Sequence, residues 1–236
     1  MIILSLETST VASSVAIASE DSILAEISAK TRFTHSKTLV PHMEKALLLA
    51  GVKRENLGAV AVSIGPGSFT GLRIGLSAAK AVSYALSIPL VGISTLEALA
   101  AAFPTPGAKI AAVIDAQKGN AYFALYERTV DGLFEKRGIS VASRGDILAA
   151  IKGEGGIVTL AGDFARRLFD EAKVVPGNAK LAPLTHMMPR ASCVAARAFA
   201  RIKKGDVDNP MTLTPVYIRK SEAEVLWEKR QGKVAL

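Results

Sequence analysis

Apolar positions come in two textures along this chain: short alternating or continuous runs near the start, and longer runs of helical period after residue 37. Residues 2–7 form a β-branched and leucine run, residues 14–18 alternate small with apolar, and residues 23–29 alternate again after a turn at Glu20 and Asp21. This period of two predicts three antiparallel strands. Pro41 lacks a backbone donor and belongs in a first helical turn, so the next helix is expected over residues 38–50. Gly51 stops it, and His35 then stands ahead of it. Residues 59–63 read as a strand and residues 70–86 as a helix that is apolar on nearly every side, hence buried on more than one face. A strand over 90–94 and a short helix over 95–102 follow.

P-T-P-G at 104–107 breaks the pattern as a domain junction does, and the programme then restarts. I-A-A-V-I-D at 110–115 is a strand ending in an acid, as I-I-L-S-L-E is, and a second strand begins at Tyr122, seven residues past Asp115. Ser14 stands seven residues past Glu7, the same offset. Helix over 143–152, strand over 157–161 and helix over 164–173 continue the echo, with one more helix over 191–203. The pattern predicts an internally duplicated, strand-rich α/β protein with units at 1–103 and 104–236.

Composition narrows the class. Half of the 236 residues are hydrophobic, enough for a large core without staples. The single cysteine, Cys193, excludes an internal disulfide and fits a reducing compartment. The opening M-I-I-L-S-L-E-T has no basic leader, and no apolar run reaches about eighteen residues, so a cytoplasmic location away from membranes is expected. A net charge of +8 permits an acidic partner such as nucleic acid. Its local clusters, Arg201, Lys203 and Lys204, then Arg219, Lys220, Lys229 and Arg230, read first as solvated surface.

The stretch V-S-I-G-P-G-S-F-T-G-L-R-I-G at 62–75 suggests chemistry more strongly. A Walker phosphate loop needs lysine after its last glycine, and Leu72 and Arg73 stand there instead. A nucleophile elbow needs glycine two before the serine, and Pro66 holds that place before Ser68. What survives is an anion seat at the helix start or, favoured, a packing device: Gly67 for a tight turn, Ser68 or Thr70 as N-cap, Gly71 and Gly75 for close approach of another helix. His35, His42 and His186 are too dispersed to share a metal, and Cys193 in an alanine-rich helix reads as a packed thiol. Glu7 and Asp115, each ending the first strand of its unit, are candidates for facing a cleft and ordering a nucleotide. The alternative is that each caps the following turn.

I-I-L-S-L-E-T-S-T at the start, G-P-G-S-F-T-G-L-R-I-G in the middle, D-A-Q-K-G-N-A-Y-F-A-L-Y after the junction and P-V-Y-I-R-K near the end resemble the TsaB (YeaZ) family of bacterial tRNA threonylcarbamoyladenosine biosynthesis proteins. The likeness runs from Met1 to about Lys220. It implies the actin, Hsp70 and sugar-kinase (ASKHA) fold, two duplicated βββαβα domains around a cleft. The family is related to TsaD, which moves threonylcarbamoyl onto N6 of adenosine 37 in tRNAs reading codons that begin with A. TsaD carries a metal-binding motif G-V-N-H-x-x-x-H; here G-I-S-T-L-E-A-L puts Thr95 and Leu99 at the two histidine places. The resemblance therefore implies no metal, no catalytic residue and no cofactor in the isolated chain, with ATP or ADP entering in a complex. It implies TsaD and TsaE as partners, a homodimer, and weak or indirect contact with tRNA. The interface is expected on the helices at 38–50 and 70–86, with Leu39, Met43, Leu47, Gly71, Arg73 and Gly75. Two enzyme readings stand beside it: a metal-independent peptidase, and a small ATP-hydrolysing or sugar-kinase-like enzyme using Glu7 and Asp115.

Overall fold

The computed structural model describes residues 1–30, 34–219 and Trp227. The first unit runs β1 (Ile3–Glu7), β2 (Ser13–Ala18), β3 (Ile23–Ala29), α1 (His35–Ala50), β4 (Ala59–Gly65), α2 (Phe69–Leu86), β5 (Leu90–Ser94) and α3 (Thr95–Ala101). Its five strands lie in the order β3-β2-β1-β4-β5. β1 is antiparallel to β2, with Leu4 opposite Ile17, and parallel to β4, with Leu4 opposite Val60. Both β1 and β2 are buried along their whole length, which is why they carry small and apolar residues on both faces. The edge strand β3 is exposed or half-exposed along its length.

The second unit repeats the plan: β6 (Lys109–Asp115), β7 (Asn120–Thr129), β8 (Gly132–Ser143), α4 (Arg144–Lys152), β9 (Val158–Ala161), α5 (Ala165–Asp170), β10 (Ala179–Leu181) and α6 (Ala191–Ile202). Its order β10-β9-β6-β7-β8 is the first sheet's order read from the other edge. The duplicated βββαβα arrangement of the ASKHA fold is thus present. The echo is imperfect by one residue, since Glu7 pairs with Ser14 whereas Asp115 pairs with Ala121.

Two helix boundaries move by three residues, and two strands join the expected set. α1 begins at His35, not residue 38, and Pro41 lies inside it. Pro41 sits on the solvent face, where the bond it cannot make would have gone to the exposed Lys37 carbonyl. β8 and the short β10 were not anticipated; the charged residues Glu135, Lys136 and Arg137 lie exposed on β8, an edge strand, and hide its period. α5 ends at Asp170, short of residue 173.

The two units exchange helices. α6, from the second unit, covers one face of the first sheet, packing Val194, Ala195, Ala198 and Phe199 against Ile3, Ala61, Val91 and Ile93. α3, from the first unit, sends Leu96, Leu99 and Ala100 into the core under the second sheet. An ion pair between Glu97 and Arg197, at 2.7 Å, ties these two helices together. The other face of the first sheet is covered by α1 and α2 through Leu39, Met43, Ala46, Leu76 and Ala79. Among the described residues no helix is long and apolar enough to cross a membrane.

Candidate functional site

The glycine turn joins β4 to α2 and is filled by the protein's own β1–β2 loop. Gly65, at φ 116°, adopts a backbone that favours glycine. Ser68 caps α2, its Oγ accepting from the Gly71 N–H at 3.2 Å, while the Ser68 N–H donates to the Ser9 carbonyl at 2.6 Å. A Cβ at Gly67 would fall on Ser9, and one at Gly71 or Gly75 would fall on Thr8. Thr8 Oγ1 in turn donates to the Gly71 carbonyl at 2.8 Å. The Ser68 and Gly71 amides at the start of α2 are therefore taken up by the chain's own Ser9 carbonyl and Ser68 hydroxyl. The packing reading holds, with one correction: Gly71 and Gly75 admit the Thr8 loop of the same chain, not a second helix.

Glu7 lies at the end of β1, fully buried. One carboxylate oxygen accepts from the Ser9 N–H, at 2.6 Å, and from the Ser9 hydroxyl; the other accepts from the Ser63 hydroxyl on β4. Burial pushes this carboxyl above its usual range, against the pull of Ser63 and Ser9. The expectation that Glu7 faces a cleft is corrected: both oxygens are spent holding the loop and β4, and no face is open to a nucleotide. Asp115 is exposed at the end of β6 and accepts from the Gln117 N–H at 2.7 Å, the turn-capping alternative. That turn is tight, with positive φ at Gln117, Lys118 and Gly119. The Asp115 N–H donates to Asp163, whose carboxyl is pushed up by burial and by the Asp115 charge. No hydrogen bond joins Glu7 to Asp115; the structure leaves them in separate units.

Thr95 and Leu99 lie buried on α3, and Leu99 packs beside Gly162 in the second core. Leucine offers no donor atom, so a metal held by this pair does not fit the chain. The Thr95 hydroxyl has no hydrogen-bond partner among the described residues. His35 Nε2 donates to the Thr10 carbonyl at 2.8 Å, which seats the start of α1 on the same loop. His186 lies far off in sequence with its Nδ1 on Thr185 Oγ1 at 2.8 Å.

The interface residues divide. Leu39 and Met43 are buried in the first core, and Gly71 and Gly75 are buried against Thr8, so these four are corrected from interface to interior, whereas Leu47 packs against the core and stays half-buried. Arg73 alone of the set is exposed; its guanidinium lies 3.8 Å from the Phe69 ring centre and its Nε donates to Tyr217 at 2.9 Å. The outward faces of the same helices carry other apolar groups: Val40, Leu48 and Leu49 on α1 and Tyr84 on α2 are all more than half exposed. Beside Tyr84, the small residues Ser77, Ala81 and Ala85 recur every fourth position on the exposed face of α2. The stripe is contained in the helical period of α2. Of the basic clusters, Arg201 is held by Asp206 and Asp208, and Lys203 by Glu20. Lys220, Lys229 and Arg230 lie outside the described residues.

A family model described as TsaD, tRNA N6-adenosine threonylcarbamoyltransferase, matches residues 22–155. The tRNA threonylcarbamoyladenosine biosynthesis protein TsaB of Escherichia coli is 30% identical over 99% of this chain and all of its own length. The TsaB of Bacillus subtilis is 28% identical over 98% of this chain and all of its own. Among solved structures, YeaZ from Pseudomonas aeruginosa superposes with a TM-score of 0.78 at 26% identity, covering 92% of this chain and 99% of that one. A second structure, described as an uncharacterized protein with similarity to peptidase YEAZ from Pseudomonas aeruginosa, gives 0.77 at 25%, with the same coverage. Full-length identity to TsaB proteins, the TsaD model across more than half the residues and the YeaZ architecture together establish that the chain belongs to the TsaB (YeaZ) family of tRNA threonylcarbamoyladenosine biosynthesis proteins.

Proposed function

We propose that this chain is a non-catalytic partner of TsaD in forming N6-threonylcarbamoyladenosine at position 37 of tRNAs that read codons beginning with A. The observation that carries the reading is a contrast between two places. Where chemistry would have to reside, the groups are committed to packing: Leu99 in a core, Glu7 closed by Ser9 and Ser63, the start of α2 covered by the Thr8 loop. Where association would take place, α1 and α2 expose Val40, Leu48, Leu49 and Tyr84 around the small-residue stripe Ser77, Ala81 and Ala85. Small residues let a facing helix approach closely, and an apolar cluster of this kind on a folded surface marks an interaction site.

TsaD and a second copy of this chain compete for that face in the proposal. TsaE joins the assembly, ATP or ADP enters with it, and tRNA is reached through TsaD. The work belongs to the cytoplasm, where tRNA is modified. The peptidase and ATPase alternatives both require turnover by the chain alone.

Sedimentation of the chain mixed with its cognate TsaD, with parallel assays of ATP and protein hydrolysis, tests the reading. A heavier mixed species and no turnover by the chain alone is expected. Independent sedimentation of the two proteins, or hydrolysis by the chain alone, contradicts it.

A further inference from the structure

Beyond α6 the chain returns along the outer edge of β5, starting at its amino end, and reaches the carboxyl end of β4. The Asp208 N–H donates to the Leu90 carbonyl at 2.9 Å. Its carboxylate accepts from the Gly92 N–H at 2.8 Å and from Arg201 at 3.0 Å, covering the outer edge of β5. Leu213 enters the first core, near Gly92. The Val216 N–H then bonds the Ile64 carbonyl at 2.7 Å, and the Val216 carbonyl lies where a Cβ of Gly65 would be. Tyr217 stacks on Phe69 with ring centres 4.6 Å apart. Last, the Arg219 guanidinium donates to the Ala116 carbonyl in the β6–β7 turn, which belongs to the second unit.

We propose that residues 208–219 form an intramolecular strap that runs along the edge of β5, closes the crevice at the carboxyl end of β4 and latches the two units together through Arg219. In open α/β sheets this crevice, outside the carboxyl ends of the strands, is where ligands enter. Here the chain's own segment lies over it, close enough that Gly65 has no room for a side chain. The strap is graded along its length. At the Asp208 end it is fixed by two main-chain groups, an arginine and a core leucine. From Val216 to Ile218 it is exposed, and among the described residues its hydrogen bond to the second unit runs from the Arg219 guanidinium to the Ala116 carbonyl. Segments with few buried contacts open first, so release begins at Arg219 and Tyr217 and frees the Ala116 turn before it frees β5.

Amide hydrogen exchange on the full chain, comparing wild type with the Tyr217→Ala, Arg219→Ala double variant, tests this. Exchange at Val216 and at Ala116, Gln117 and Asn120 is expected to rise about tenfold while Asp208 and the β2 amides stay unchanged. A β6–β7 turn that exchanges as in wild type overturns the latch. Arg219→Gln, which keeps the Tyr217 stack, serves if the double variant unfolds. It is expected to speed Ala116 and Gln117 and to leave Val216 alone, and no change at Ala116 again overturns the proposal.

Discussion

At the scale of single residues, the glycines and the buried acid are governed by what they touch. Gly75 has no room for a side chain, because Thr8 Oγ1 occupies the place of its Cβ. Gly75→Leu is therefore expected to lower stability by about 3 kcal/mol through overpacking, read by denaturant melts. A normal melt with lost association would return this glycine to an interface. Glu7 offers a pH test. Burial raises its pKa above the ordinary 4.5, so the native state binds more protons than the unfolded chain between those two values. The contribution of Glu7 to stability then falls as pH rises from about 4.5 through the raised value. Glu7→Gln is neutral throughout, and the variant should gain on wild type across that window in urea melts taken at stepped pH. Parallel curves would show that Glu7 titrates alike in both states. The place of Glu7 at a strand end was legible in the sequence, but its enclosure was not. Enclosure depends on Ser63, fifty-six residues away on a neighbouring strand.

At the scale of elements, strands were legible wherever one face or both are buried. β1, β3 and β5 fall as the period predicts, and Ser68 caps α2 as its chemistry suggests. β8 was illegible because charge, not apolar alternation, lines its exposed part, and α1 was clipped because Pro41 was assigned by rule without knowing which way it faced. The expected interface included Leu39 and Met43, which the fold turns inward. One stripe of α1 had to serve the core and another the solvent side, and periodicity alone cannot say which. On the corrected faces, Ala81→Arg puts a charge on an exposed position of α2 and should leave the melt unchanged. In sedimentation it should weaken binding to TsaD, or to a second copy, by about a hundredfold. Unimpaired association would move the docking surface elsewhere.

At the scale of the whole molecule, the duplication was legible from two acids that each end the first strand of a unit, and the strand orders of the two sheets agree with it although the pairing offsets differ by one residue. The helix exchange between units was not, because α6 is amphipathic whichever sheet it covers. Electrostatics belongs to this scale too. The net charge of +8 is spread, and Arg201 and Lys203 are already paired with acids, so tRNA contact by the chain alone should be weak, salt-sensitive and indifferent to sequence. A filter-binding salt titration against an unmodified tRNA and an unrelated RNA checks this. Tight binding that prefers the tRNA at physiological salt would give this chain a reading role of its own. The central claim is that the chain supports a reaction it does not perform, and reconstituted transfer tests it most directly: threonylcarbamoyl adenylate and unmodified tRNA with this chain alone, with TsaD alone and with both, the modified nucleoside being measured by mass spectrometry. The account predicts none from the chain alone and more from the pair than from TsaD alone. Product from the chain alone, or a rate from TsaD that the chain does not change, would contradict it.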